Sequence, residues 1–362
     1  MKNFTFTGSA ESPILSWFTK RLKDRFVTEG YRYDEEPGDD IQLVFNVIDE
    51  EKPRPYRRKA QATFVVSLLE TDHEPEHPFI HAYPYLVRSL SNHLILLVPD
   101  GEEAHAFFIT PEQGCYKMTY QPNEEETFFQ NVYHRLEPVA SSQLVIDNDF
   151  IDDLQEDLWD GNEITQKMGR SGKKLDDMHL LPAPFPIEEY LTPRDMRHVK
   201  KLYGMGGLSY GNLSSRQNRR NFWMSASGIN KAKMRVIGQD ILYIKRFNSE
   251  RNSMEISVPP HISPRRASVD AIEHWMIYQE HPSVGAIVHV HAWMDGVKAT
   301  EINYPCGTYQ LAKTVAGLVR EADDPSRAVI GLKNHGLTIT GRDLDDIFER
   351  IDGRILAQVP MA

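Results

Sequence analysis

The chain has 362 residues, 40% of them hydrophobic, and a formal net charge of −11 from 52 acidic and 41 basic side chains. That length suits two hydrophobic cores rather than one, and the acidic balance argues against a nucleic-acid surface. No apolar run approaches the ~20 residues of a membrane span, the start of the chain lacks the apolar core of a secretory signal, and the two cysteines, Cys115 and Cys306, make no disulfide framework, so a cytoplasmic protein is expected.

Residues 13–29 place Ile14, Leu15, Trp17, Phe18, Leu22 and Phe26 at the spacing of an amphipathic helix ending at Gly30. Strand-like runs follow at 41–48, 62–69, 93–98 and 104–109, the last two joined by the turn Pro99-Asp100-Gly101. Residues 124–136 read as a helix capped by Asn123 and closed before Pro138. The first part of the chain is therefore expected to be an α+β domain with a meandering sheet and no recognisable chemistry. His73, His77 and His81 would stack on one face of a helix, but Pro75 and Pro78 fall among them. An interior proline costs a helix about 3 kcal/mol, so this segment is expected to be a loop and an edge strand rather than a metal site.

Residues 147–177 are polar and acidic, with helical character around 150–159 and an interruption at Gly169-Arg170-Ser171-Gly172. Pro182, Pro184 and Pro186 then impose an extended segment. The expected boundary lies there, with residues 1–186 as an N-terminal α+β domain and 187–362 as a second domain. This opens with a helix over 193–203, in which Thr192 caps and Pro193 takes the first helical position. A glycine-rich stretch from Gly204 to Arg216 follows, which is neither a dinucleotide fingerprint nor a phosphate loop ending in Gly-Lys-Ser/Thr. Its amides, with Asn212 and Ser214, could converge on an anion, or it could be a plain turn. The same two readings apply to the loop Met224-Ser225-Ala226-Ser227-Gly228, and residues 240–245 form a further strand.

An apolar run at 284–287 leads into Val288-His289-Val290-His291. Successive side chains of a strand alternate faces, so His289 and His291 point to one side. Residues 328–337 repeat the pattern of an apolar strand that delivers one histidine, His335, at its end. Three imidazoles suit zinc or a similar divalent ion and leave a coordination position for water or substrate. Taken alone, a His-x-His pair is equally an ordinary strand feature and His335 a loop residue.

In order along the chain, Gly211-Asn212-x-Ser214, Ser227-Gly228, His289-x-His291 and Asn334-His335-Gly336-Leu337 resemble the class II aldolase/adducin superfamily. Fuculose-phosphate aldolase and ribulose-phosphate 4-epimerase are among its enzymes. The resemblance covers roughly residues 191–351 and leaves the N-terminal half unassigned. It implies an α/β fold with three α/β/α layers. It implies His289, His291 and His335 as ligands of Zn2+, or of Mn2+, Co2+ or Fe2+, and Gly211, Asn212, Ser227, Gly228 and Ser268 as holders of a substrate phosphate. Asp270 falls where the family has its acid/base glutamate, a register supported by Tyr278-Gln279 and Pro282, and an aspartate there resembles the epimerase branch. Val269 stands where the family has a phosphate-binding serine, and the segment 294–306 is short beside its counterpart. Glu301, Tyr304 and Asp295 are further polar residues nearby.

What the resemblance implies for function is a metal-dependent aldolase of carbohydrate metabolism. It would act on a small sugar or sugar phosphate through a metal-stabilised enediolate. A 4-epimerase or dehydratase of the same superfamily, or an adducin-like assembly module without catalysis, are its alternatives. The resemblance also implies a homo-oligomer with the site at a subunit boundary, while the acidic charge and the absence of a long apolar run leave no nucleic-acid or membrane partner expected. The first domain is expected to be regulatory, assembly-related or a lid.

Overall fold

The computed structural model describes residues 2–59, 63–110, 114–178, 180, 191–202, 211–357 and 359–360. Contacts divide the chain into two compact units, one reaching Ser141 and including the helix at 193–202, the other beginning at Ser142.

The first unit is built on a seven-stranded sheet. Its strands are β1 (Asn3–Thr7), β2 (Arg32–Tyr33), β3 (Leu43–Val47), β4 (Phe64–Glu70), β5 (His93–Asp100), β6 (Glu103–Ile109) and β7 (Cys115–Tyr120). Their order is β2-β1-β3-β4-β5-β6-β7, parallel through β5 and antiparallel beyond it. The expected meander is thus confined to β5–β7. Strand β3 is buried at every position and β4 at all but its last, the near-continuous apolar pattern of a parallel sheet covered on both faces. Such runs identify strands without naming their neighbours. Helix α1 (Pro13–Thr28) follows β1 as expected, with Ser12 Oγ accepting from the Leu15 amide at 3.2 Å and Leu15, Phe18, Leu22 and Phe26 buried.

The prolines behave differently from expectation. Residues 78–88 form helix α2 (Pro78–Arg88) rather than an edge strand, because Pro78 sits at the helix start, where no amide bond is lost. His81 lies on it, its Nε2 2.9 Å from Glu50 Oε1. Helix α3 (Glu125–Ser141) continues through Pro138, which is buried with Val139 and Ala140 on its apolar side. Helix α5 (Pro193–Leu202) begins as expected at the Thr192 cap, whose Oγ1 accepts from the Asp195 amide at 3.2 Å. It belongs with the first unit, however: the Arg88 guanidinium donates to both Asp195 oxygens at 2.6 and 2.8 Å.

The second unit holds a nine-stranded sheet. Its strands are β8 (Asp147–Ile151), β9 (Gly211–Arg216), β10 (Phe222–Ser225), β11 (Ile241–Asn248), β12 (Ser253–Ser257), β13 (Ala286–Val290), β14 (Lys298–Ala299), β15 (Val329–Leu332) and β16 (Gly336–Gly341). The order is β14-β15-β16-β13-β9-β10-β11-β12-β8. Helices α4 (Glu163–Asp177) and α8 (Leu344–Ile351) bury Met168, Leu175, Ile347 and Phe348 with Leu213, Val288, Val290 and Ile339. Helices α6 (Ala271–Glu280) and α7 (Tyr309–Arg320) bury Ile272, Ile277, Leu311 and Val315 with Met224, Ile244 and Ile287. Alternate residues of β13 therefore enter different cores, and the unit has three layers, helix, sheet and helix.

Here too the expected boundary at 186/187 differs from the observed division. Strand β8, whose last two residues fall in the stretch expected to be helical, pairs in parallel with β12. Helix α4 runs unbroken through Gly169 and Gly172 from a capping box between Asn162 and Thr165. Gly172 is needed there, since a Cβ would lie 2.4 Å from the Lys231 carbonyl oxygen.

Candidate metal centre

Strand β13 lies between β9 and β16, and its register sets His289 directly opposite Asn212 on one side and Thr338 on the other. Directly paired residues share a face, so Asn212, His289 and Thr338 form a row toward α6 and α7. His291 follows one residue beyond β13. His335 comes from the tight turn between β15 and β16, where Asn334 adopts φ 58°, a left-handed conformation that asparagine tolerates.

The three imidazoles converge. Ring centroids are 5.1 Å apart for His289 and His291, 4.8 Å for His289 and His335, and 5.1 Å for His291 and His335. One nitrogen from each lies within 4.8 Å of the others. His289 Nδ1 donates to the Leu337 carbonyl at 3.1 Å, which leaves its Nε2 as the lone-pair nitrogen. That Nε2 and His291 Nδ1 are buried with no hydrogen-bond partner. An unsatisfied buried polar atom costs about 1–3 kcal/mol, and a divalent cation would satisfy both together. Burial, reinforced by the neighbouring imidazoles, holds His289 and His291 well below the usual histidine range, so both are neutral near pH 7. The donor set fits zinc or a related ion.

Beside the row stand two carboxyl groups one helical turn apart. Asp270, buried at the head of α6, accepts on Oδ2 from Asn212 Nδ2 at 2.7 Å and Ser268 Oγ at 3.1 Å. Glu273 accepts from Thr338 Oγ1, and burial together with the charge of Asp270 pushes it up to about 8. Each neighbour of His289 in the row is thus held by an acidic side chain of α6. Deeper along the same helix, His274 Nδ1 and Tyr278 OH both meet Ser214 Oγ at 2.8 Å, and burial lowers His274 to about 4. Lys231, also buried, is pushed down to about 8 by desolvation, and its charge is one of those that lower His289 and His291. Cys306 Sγ lies 3.6 Å from His335 Nε2.

Of the residues singled out from sequence, the three histidines come together, and Asn212, Ser268 and Asp270 join in one hydrogen-bonded cluster beside them. Gly211 is a strand residue rather than part of a loop. It has φ 119°, and a Cβ there would fall 1.9 Å from the His289 carbonyl oxygen, so glycine is what allows β9 to approach β13. Ser227 and Gly228 do form a turn after β10, where the Ser227 amide donates to the Arg266 carbonyl at 2.8 Å and Gly228 has φ 67°. Residues 204–210 of the glycine-rich stretch lie outside the described residues. Asp295 and Glu301 are exposed, and Tyr304 is half-buried against the α6/α7 core. Glu273, His274, Lys231, Thr338 and Cys306 were not singled out as site residues. Helical spacing from Asp270 points to Glu273 and His274, whereas Lys231 and Thr338 become relevant only through tertiary packing.

Residues 196–300, which contain His289 and His291, match the family described as Class II Aldolase and Adducin N-terminal domain. The match to the class II aldolase and adducin family thus lies in the C-terminal region of the chain. Among curated proteins, it is similar to a methylthioribulose-1-phosphate dehydratase of Cronobacter sakazakii, 26% identical over 152 residues, which are 41% of this chain and 68% of the relative. A second protein of that name and species is 23% identical over 154 residues, 41% of this chain and 64% of the relative, so less than two thirds of its length is spanned. Among solved structures, YgbL of Klebsiella pneumoniae, described as an aldolase/epimerase/decarboxylase, aligns with a TM-score of 0.33 at 18% identity, over 52% of this chain and 84% of that one. An aldolase II superfamily protein from Pseudomonas syringae aligns with a TM-score of 0.32 at 14% identity, over 53% and 73% respectively. Among the described residues, no helix is long and apolar enough to cross a membrane.

Proposed function

We propose that the second unit is a divalent-metal-dependent lyase of the class II aldolase type, acting on a small sugar or sugar phosphate that carries a carbonyl next to a hydroxyl-bearing carbon. The observation that carries this reading is the meeting of three imidazoles, two of them buried and one half-buried, of which His289 and His291 have a buried nitrogen lacking any partner, beside the buried carboxylate of Asp270. A metal held by His289, His291 and His335, zinc in the first instance, would supply a Lewis acid for the carbonyl and hydroxyl oxygens and offset the charge of an enediolate. Asp270 is the proton-moving group. Asn212 and Ser268 both donate to its Oδ2, which fixes the carboxylate in orientation and holds it ready to take or return a proton beside the carbonyl. Gly211, Ser227 and Gly228 complete the substrate-facing set in this proposal, with backbone approach as their contribution.

Two lyase outcomes share that proton chemistry. Breaking the carbon–carbon bond beyond the carbonyl gives two fragments, which is aldol cleavage. Removing the α-proton and expelling the β-hydroxyl, protonated to water, leaves an enol at the α-hydroxyl that tautomerises to a dicarbonyl product, which is dehydration. The similarity to methylthioribulose-1-phosphate dehydratase favours testing dehydration first. A purely structural assembly module has no use for three converging imidazoles, two of them with an unpaired buried nitrogen.

The deciding experiment loads the purified protein with Zn2+, Mn2+ or Co2+ and follows ketose and aldose phosphates by mass spectrometry. Loss of water identifies the dehydratase, two fragments the aldolase, and an isomer of unchanged mass an epimerase. Turnover that persists unchanged in both Asp270→Asn and His335→Ala would overturn the reading.

A further inference from the structure

The first unit carries its own crevice, at a place the topology singles out. Strands β1–β5 are parallel in the order 2-1-3-4-5. The chain leaves β1 through α1 toward β2 on one side, then returns to β3 on the other, so strand order reverses between β1 and β3. In open parallel sheets, ligands bind outside the carboxyl ends of the strands at such a reversal. A cavity of about 1050 Å3 lies there, lined by Thr7 and Gly8 after β1, Asn46 and Val47 at the end of β3, and Glu70 at the end of β4. Its volume is at the upper end of the range for small-molecule pockets, roughly 300–1,000 Å3.

The walls indicate what it would take. Between β1 and α1 runs Gly8-Ser9-Ala10-Glu11-Ser12. Gly8 has φ 85°, and a Cβ there would fall 2.2 Å from the Val47 carbonyl oxygen, so only glycine turns the chain away from β3 at this point. The amides of Ser9, Ala10 and Glu11 have no acceptor among the described residues, and they precede the first turn of the 16-residue helix α1, whose positive end faces the same loop. Across the crevice, Lys52, Arg54 and Arg57 are exposed lining residues whose side chains have no partner among the described residues. The half-buried ring of Tyr56 stands between the two arginines in sequence, packed on Val44 and Val65. Lys59, the fourth cation of the lining, is taken by Asp39. Of the five carboxylates in the lining, Glu70 accepts from Ser12 Oγ, Asp49 accepts from the Lys52 amide at 2.6 Å and Glu50 meets His81, while Glu11 and Asp72 have no partner among the described residues. Backbone donors therefore gather on the loop and cations on residues 52–57, while carboxylates sit beyond the ends of β3 and β4 and, at Glu11, on the loop itself.

We propose that this crevice binds a small phosphate ester carrying neighbouring hydroxyls, with the phosphate between the Gly8–Ser12 loop and Lys52, Arg54 and Arg57, and the hydroxyls on Glu70 and Asp49. A nucleotide and a sugar phosphate share that chemistry. The site is independent of the lyase reading and does not involve the histidine cluster.

Isothermal titration calorimetry on the full chain tests it with AMP, FMN, ribose 5-phosphate and inorganic phosphate as probes. At least one of the three esters is expected to bind saturably and more tightly than inorganic phosphate, and which one does distinguishes nucleotide from sugar phosphate. Arg54→Ala with Arg57→Ala removes two exposed cations without touching the core and should weaken that binding about tenfold or more. Glu70→Gln should weaken the ester while leaving inorganic phosphate unchanged, and His335→Ala should leave ester binding intact. The proposal is overturned if no ester binds at millimolar concentration, if inorganic phosphate binds as well as every ester, if binding is unchanged in the double arginine variant, or if it is lost in His335→Ala.

Discussion

The two units treat polar side chains in opposite ways. In the second unit the polar groups are buried in the sheet row Asn212, His289 and Thr338 and are answered by Asp270 and Glu273 from α6. In the first unit the charges line an open crevice, where water can solvate whatever a neighbour does not pair. An unpaired cation at Arg54 therefore costs little, whereas an unpaired nitrogen on His289 is a cost that something must offset. Buried atoms without partners identify a site more sharply than exposed charges do, and for the crevice the topology has to supply what burial does not.

That contrast can be broken or sharpened by substitution. The largest effect is expected at Asp270: Asp270→Asn keeps the shape but removes the base, and should lower kcat by roughly 10²–10⁴-fold with metal content unchanged. A matching loss of metal would instead make Asp270 part of the coordination shell. Next in size are the two glycines that allow strands to approach. Gly211→Ala drives a Cβ toward the His289 carbonyl, and Gly8→Ala does the same at Val47. Each should cost on the order of 3 kcal/mol in denaturant unfolding, but only Gly211→Ala should also disturb metal binding. Equal effects of both on metal affinity would show that the units are not separate in function.

Thr338→Val should be smaller. It removes the donor to Glu273 and loosens the support of His289, so metal affinity should fall roughly 10–100-fold. An unchanged affinity would mean that the row braces the fold and not the metal.

The smallest effect is one of pH, and its sign follows from the shifts. Glu273 is raised from 4.5 to about 8, so the folded chain holds a proton that the unfolded chain releases above its ordinary range. The stability this gives is present below about pH 4.5 and is lost as pH rises toward 8. His289 and His291 are depressed below 6.5, so their contribution is present above 6.5 and is lost as pH falls. Metal-free protein should therefore be most stable near pH 6.5, where the histidine contribution is complete and only the Glu273 contribution is still falling, and Glu273→Gln should flatten the fall above that pH. Denaturation midpoints measured from pH 5 to 9 would reveal a Glu273→Gln profile identical to wild type if Glu273 is not the group responsible.

The histidine cluster was legible in the sequence because two local rules sufficed for it. Strand alternation put His289 and His291 on one side, and an apolar strand ended at His335. Glu273 and Lys231 were not legible, since a charged side chain reads as exposed until packing buries it. In the first unit the strands at 41–48, 62–69, 93–98 and 104–109 could be read from apolar runs, but their parallel order could not, because such runs look alike whatever strand lies beside them. Proline misled in both directions. Pro78 opens α2 and Pro138 lies inside α3, so its position within the turn, rather than its presence, decides the outcome. Pro182, Pro184 and Pro186 suggested a division that the pairing of β8 with β12 and the Arg88–Asp195 bridge place differently.

Elemental analysis of the purified chain after incubation with excess Zn2+ and removal of free metal tests the central claim most directly. The account predicts about one tightly held divalent ion per chain, abolished in His289→Ala, His291→Ala and His335→Ala and retained in Arg54→Ala with Arg57→Ala. A folded wild-type chain that holds no metal, or one whose metal survives loss of any of the three histidines, would contradict it.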